Sequence, residues 1–231
     1  MLYKKPKQRI TDEFKFLTKF LDSGYFDKFN NNNYNFTLIQ EPFTEVGFAD
    51  LVCVSWKKPL NDFWTESRNK LTKDDIKILH HLYNCKLFKS SEEIVKELGF
   101  SEREIEKILF RLYDANLIVE NMNKNRVKIK PLRDIFFIRE IIAIEAKLKD
   151  WKGALRQSLN NISFASKSFA LLPETTINNH LLDYYKKTDV GLLSFNSTCR
   201  EVVKPKRNKI PTNITSWYFN EYVGRSMYST C

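Results

Sequence analysis

The sequence predicts an α/β fold built on one mixed sheet, with a separate helical unit set into the chain between its strands. Three observations predict it. Residues 135–195 alternate strand-like and helix-like stretches, the pattern of α/β units with some parallel pairing. Residues 36–56 hold two apolar strand-like runs. Two strands are too few to be stable alone, so they need the strands after residue 135. Between these blocks, residues 71–130 switch to helical periodicity and end in a short β-ribbon.

The elements follow in order. "TDEFKFLTKFLDSGYF" places Phe14, Leu17, Phe20 and Leu21 at helical spacing, with Thr11 or Asp12 as cap and Gly24 as terminator. After the polar loop 28–35, "FTLIQEPF" and "VGFADLVCVSW" read as a hairpin. From Lys57 to Lys70 the pattern breaks, with Pro59, Asn61 and mixed charges, and reads as a connector. "LTKDDIKILHHLYN" sets Leu71, Ile76, Leu79 and Leu82 near one helical face. "SSEEIVKELGF" is a short helix closed by Gly99. In "SEREIEKILFRLYDANLI", Ser101 and Glu104 stand at capping-box spacing ahead of the stripe Ile105, Ile108, Leu109 and Leu112. "LIVENMNKNRVKIK" is a strand, a polar turn and a second strand. Then come "IFFIREIIAIEAKL" (strand), "DWKGALRQSLNNISFAS" (helix), "KSFALLPE" (strand), "TINNHLLDYYKK" (helix) and "VGLLSF" (strand). The tail with "KPKRNK" reads as an extended arm. The expected division is a discontinuous core, 1–57 and 133–195, an insert at 71–130 and an arm at 196–231.

Composition narrows the function. The 231 residues carry a net charge of +10 and 42% hydrophobic residues, enough for a sizeable core and favourable toward a polyanion. No apolar run approaches the ~20 residues that span a bilayer, and no apolar signal segment follows the basic Met1–Arg9 stretch. A membrane partner is therefore not expected. Cys53, Cys85, Cys199 and Cys231 form no CxxC pair, and the three His are read as standing apart from them. A zinc or disulfide framework is not expected, and a reducing cytoplasm is the default compartment. Cys53 reads as core. His80 and His81 read as one packing and one facing water rather than as metal ligands.

The chemistry concentrates in "IIAIEAKLKDW". Glu145 and Lys147 are two residues apart on a strand and so project to one side. Asp50 interrupts the apolar run "GFADLVCV", and a buried carboxylate there needs a partner or a metal. If the two strands neighbour one another, Asp50 and Glu145 converge. Two carboxylates and a main-chain carbonyl make a hard-oxygen site for Mg²⁺, with Mn²⁺ as substitute. Lys147 then orients or helps deprotonate a metal-bound water, or offsets charge in a phosphorane-like transition state. The competing reading is a solvated charge pair at the end of a strand.

The order helix, strand, Asp-bearing strand, Glu-x-Lys strand, helix, strand resembles the PD-(D/E)XK nuclease superfamily. "GFADLVCV" is similar to its first catalytic strand and "IAIEAKL" to its (D/E)XK strand, over residues 11–57 and 133–195. The resemblance implies a restriction-endonuclease-like, Mg²⁺-dependent phosphodiesterase with Asp50, Glu145 and Lys147 as site residues. It also implies an acid from the first helix, for which Glu13 and Glu45 compete, each equally readable as a surface charge. Gln157 is similar to a Gln that some members carry on the following helix, or else faces solvent. The aromatic expected four residues later is replaced by Asn161, and the family's Pro by Ala49.

The insert resembles a winged helix-turn-helix. Its second motif helix opens on Glu102, Arg103, Glu104 and Glu106, unfavourable toward phosphate. The ribbon and the strand after it hold Lys124, Arg126, Lys128, Lys130, Arg133 and Arg139 against Asp134 alone. Nucleic-acid contact is therefore expected from Lys124, Arg126, Lys128 and Lys130, assisted by Lys107 and Arg111. Two other classes stay open: a catalytically inactive DNA-binding module on the same fold, and a protein-interaction scaffold that docks a partner or pairs as a homodimer.

Overall fold

The computed structural model describes residues 11–30, 33–44, 46–58, 64–121 and 125–228. The chain divides into two compact units, both discontinuous in sequence: Met1–Lys58 with Ile138–Ser216, and Pro59–Phe137 with Trp217–Cys231.

The first unit is α/β, a mixed six-stranded sheet flanked by helices. Helix α1 (Asp12–Leu21) begins where the Thr11 hydroxyl accepts from the Phe14 N–H. Strands β1 (Tyr34–Gln40) and β4 (Leu51–Lys57) form the expected hairpin, and a two-residue ribbon, β2 (Phe43–Thr44) with β3 (Gly47–Phe48), lies between them in sequence. The two-stranded ribbon of the second unit takes the labels β5 and β6. Strand β7 (Ile138–Ala146), helix α6 (Trp151–Asn161), β8 (Lys167–Pro173), α7 (Asn179–Tyr185) and β9 (Gly191–Phe195) follow as alternating elements. With β10 (Cys199–Val203) at the edge, the sheet order is β1-β4-β7-β8-β9-β10, with β7, β8 and β9 parallel and the other neighbours antiparallel. Leu51 pairs with Ile144, so β4 is the direct neighbour of the Glu145 strand.

Each face of the sheet has its own core. Leu17 and Phe20 of α1 pack with Cys53, Ile142, Ile144, Leu171 and Leu193. On the other face Ala154, Leu181 and Tyr185 pack with Ala170, Leu172 and Leu192. Strand β7 is buried along almost its whole length, which explains its continuous Ile-rich run.

The second unit holds α2 (Lys73–Cys85), α3 (Ser91–Leu98) and α4 (Glu102–Asp114), each opened by a capping box: Thr72 with Asp75, Ser90 with Glu93, Ser101 with Glu104. The ribbon is β5 (Ile118–Asn121) with β6 (Arg126–Ile129), extended by a backbone bridge between Lys89 and Val127. Leu79, Leu82, Ile94, Ile105 and Leu112 are fully buried.

Two sequence readings need correction. Residues 132–135 form a helical turn, α5 (Leu132–Ile135), so the strand starts at Ile138 and not at Ile135. The tail is not an extended arm. Residues Cys199–Val203 are β10, paired antiparallel with β9, and Ile214–Tyr228 form α8. In the second unit, Trp217 packs edge-on against Tyr83 and Phe136, with ring centroids 5.6 Å and 5.1 Å away. Glu221 forms a buried ion pair with Arg68, whose guanidinium also donates to the Ile135 carbonyl and lies over the Trp64 ring. No helix among the described residues is long and apolar enough to cross a membrane.

Candidate active site at the end of strand β7

The site is built on the sheet centre, where β7 ends. Asp50 immediately precedes β4, and its Oδ2 accepts the Ala146 N–H at 2.8 Å. This ties the carboxylate to the strand that carries Glu145. The Lys147 N–H donates to the Leu171 carbonyl at 3.1 Å, continuing the β7–β8 ladder one residue past the strand. Both bonds use main chain, so Asp50, Glu145 and Lys147 are positioned by rigid sheet rather than by a loop.

The side chains converge. Lys147 Nζ stands 3.5 Å from Glu13 Oε2 and 3.7 Å from Asp50 Oδ2. Glu145 is 1% exposed. Its Oε1 accepts from Asn161 Nδ2 at 2.7 Å, and its Oε2 has no donor among the described residues. Glu13 and Asp50 thus share the Lys147 ammonium, while Glu145 is held by Asn161.

The charge balance sets the protonation. Burial first, and then the neighbouring Asp50 carboxylate, push Glu145 up from 4.5 to about 8; Asn161 and Lys147 oppose this only in part. Burial would lower the Lys147 ammonium, but Asp50, Glu13 and Glu145 outweigh it and hold Lys147 above its ordinary value.

A stability prediction follows. The folded state binds a proton at Glu145 that the unfolded chain releases near 4.5. The stability that Glu145 contributes is therefore fully present below that value and is lost as pH rises toward about 8. Urea unfolding in chelator across this range should show the decline, and Glu145→Gln should flatten it and be the more stable protein at high pH. An equal pH slope in both proteins would show that the decline arises elsewhere.

Of the other expected residues, Gln157 lies on α6 with its Oε1 buried and without a partner among the described residues. Glu45 and Lys124 fall outside the described residues. Asn161 is the residue that sequence reasoning passed over as a mere departure. Its signal was present: Gly153, Ala154, Ser158 and Asn161 form the buried, small-or-polar face of α6.

The expected nucleic-acid residues of the second unit have other engagements. Arg111 grips the fully buried Asp75 through three contacts of 2.7–3.1 Å, and Arg126 binds Glu93 at 2.6 and 2.7 Å. The sequence suggests phosphate for both, but the structure gives them carboxylates. Lys130 donates to Asn116 Oδ1, and Lys128 lies 5.8 Å from the Phe88 ring centroid. Lys107 is exposed on α4. The reading that the histidines stand apart from the cysteines is also corrected, since His81 Nε2 lies 3.4 Å from Cys85 Sγ.

Comparison with protein-family models, with curated proteins and with solved structures finds no match to this chain.

Proposed function

We propose that the first unit is a Mg²⁺-dependent phosphodiesterase of the restriction-endonuclease-like, PD-(D/E)XK type, acting on nucleic acid, and that the second unit is a winged helix. One observation carries this reading: Glu13 and Asp50 both stand within 4 Å of the Lys147 ammonium, beside a buried Glu145 whose Oε2 has no donor among the described residues. A buried carboxylate in that state needs either a proton or a cation. The donor set is all oxygen, which fits Mg²⁺ or Mn²⁺. Asp50 and Glu145 would hold the ion, and Glu13 stands beside them on α1.

A divalent ion there supplies charge neutralisation at a phosphate and a bound water of lowered pKa. Lys147, whose ammonium Asp50 and Glu13 hold above its ordinary value despite burial, would serve as a positive charge toward developing phosphorane charge. Asn161 holds the Glu145 carboxyl in place through Oε1 and leaves Oε2 to the site.

The test is cleavage of single- and double-stranded DNA and RNA with Mg²⁺ or Mn²⁺, beside metal binding measured calorimetrically. Metal-dependent cleavage of any of these supports the proposal. Absence of both cleavage and metal binding favours the inactive binding module.

The ribbon offers the second reading. Arg111 and Arg126 are tied to Asp75 and Glu93 and Lys130 to Asn116, so among the described residues expected to meet phosphate Lys107 and Lys128 remain, and binding through them is predicted to be weak and non-specific. The salt dependence of log affinity should have a slope of about −1 to −2, near one unit per contact. Lys107→Ala with Lys128→Ala should abolish that slope. A slope steeper than about −4 that survives both changes would place the contact elsewhere.

A further inference from the structure

Outside the β7 site, one cluster of metal-ligating side chains stands out, and no part of the proposed reaction uses it. His81 and Cys85 are one turn apart on α2 and share a face. Glu97, near the end of α3, meets them. His81 Nε2 lies 2.7 Å from Glu97 Oε2 and 3.4 Å from Cys85 Sγ, and the three ligand atoms are all within 4.8 Å of one another.

A nucleophilic triad fails on geometry. Both contacts fall on the same ring nitrogen, so His81 cannot take a proton from Cys85 through one nitrogen while Glu97 holds the other. Burial also pushes the Cys85 thiol up, against the nearby Lys89. Convergence on one nitrogen is instead what a shared ion requires.

We propose that His81 Nε2, Cys85 Sγ and Glu97 Oε2 form a zinc site that joins α2 to α3, with a fourth position open to water. The donor set is imidazole, thiolate and carboxylate, each a known Zn²⁺ ligand. Zinc bonds of about 2.0–2.3 Å in a tetrahedron put ligand atoms roughly 3.3–3.7 Å apart. The His81–Cys85 distance already meets this. The His81–Glu97 pair must open by less than about 1 Å, and Glu97, with 37% of its side chain exposed, has room to do so. Binding exchanges the Cys85 thiol proton for the ion and releases it to solvent, while His81 takes the Nδ1–H tautomer and frees Nε2 as the ligand atom. Zn²⁺ with one thiolate, one carboxylate and a neutral imidazole sums to zero charge.

The surroundings supply an outer partner. Lys89 Nζ donates to Glu97 Oε1 at 2.5 Å, leaving Oε2 for the ion. Lys89 is itself fixed by two main-chain bonds with Val127, at 2.8 and 2.9 Å. Metal-bound carboxylates are characteristically oriented in this way.

The experiment uses the full chain carrying Asp50→Ala and Glu145→Ala, which removes the carboxylates of the β7 site. Its result is therefore separate from success or failure of the nuclease reading. Titration with Co²⁺ should give stoichiometric binding with a thiolate-to-cobalt charge-transfer band that Zn²⁺ displaces. Zn²⁺ at a hundredfold excess over Kd should raise the unfolding midpoint by roughly 5–10 °C. Cys85→Ala should abolish the band, and His81→Ala and Glu97→Gln should each weaken Zn²⁺ by at least about 100-fold. Cys85→Ala changes a half-buried side chain to the best helix former, so it keeps the test valid if the His81 variant fails to fold. Absence of stoichiometric Zn²⁺ binding, or Zn²⁺ affinity unchanged by Cys85→Ala, would overturn the proposal.

Discussion

Asp50→Ala and Glu145→Ala are each expected to abolish Mg²⁺ binding and phosphodiester cleavage together, whereas Lys147→Ala should keep the metal and slow the reaction. The difference follows from the proposed division of labour. Asp50 and Glu145 offer oxygens, and losing either leaves too few hard ligands to displace the waters of a strongly hydrated ion. Lys147 offers no ligand while it keeps its proton. Its loss removes charge stabilisation of the transition state, a deficit of about 10²–10³-fold in kcat. Lys147→Arg keeps a charge but exchanges a compact ammonium for a planar fork, so rescue should be partial. Asn161→Ala should act between these extremes, weakening metal binding without removing a ligand, by roughly 10–100-fold as for other outer partners. Calorimetry and single-turnover cleavage on the same preparations separate the two effects. Cleavage that survives Asp50→Ala and Glu145→Ala would assign the activity to another site.

Arg68→Ala is expected to be the most damaging stability change in the second unit. Arg68 and Glu221 are 1% and 3% exposed, and their charged atoms meet at 2.6 Å. Removing one partner strands the other charge in the core, a loss of about 3–5 kcal/mol. The guanidinium also fills space against Trp64 and caps the Ile135 carbonyl. The double change Arg68→Met with Glu221→Leu should cost less than Arg68→Ala alone, because no unpaired charge remains. Urea unfolding of the three proteins, followed by Trp fluorescence, measures the order. A loss under about 1 kcal/mol for Arg68→Ala, the range of an exposed pair, would show that water reaches the site.

Much of this architecture is written in local pattern. Thr72, Ser90 and Ser101 announce their helices because a cap and its return partner three residues on are both side-chain chemistry. The β7 strand and its Glu-x-Lys end are legible because burial on both faces demands an unbroken apolar run, against which a charge is conspicuous. Asp50 is legible for the same reason. What the sequence hides is hidden by packing. Helix α8 has Thr215, Ser216, Trp217, Phe219, Asn220, Glu221 and Val223 all buried, so it shows no one-sided stripe. At its Gly224 a Cβ would overlap the Trp64 ring, so the glycine serves close approach. Strand β10 is a short, largely exposed edge with Arg200 and Glu201, indistinguishable in sequence from loop. Arg111 and Arg126 mislead in the opposite direction. A basic residue carries the same letter whether it meets phosphate or a buried Asp75, and only the fold decides.

The chain's three crossings between units also bear on the order in which it can fold during synthesis. Strand β4 leaves the ribosome long before β7, its sheet neighbour, because all of residues 59–137 come between. Arg68 waits longer still, since Glu221 follows 153 residues later. Contacts this distant close slowly, and each unit stays unfinished until segments made after the other unit has begun have emerged. A nascent chain halted before Trp217 carries a lone guanidinium and the Tyr83 and Phe136 rings without their Trp. Until α8 arrives, that half-built surface is a target for chaperones and for aggregation, so the emergence of α8 determines how long the second unit is at risk.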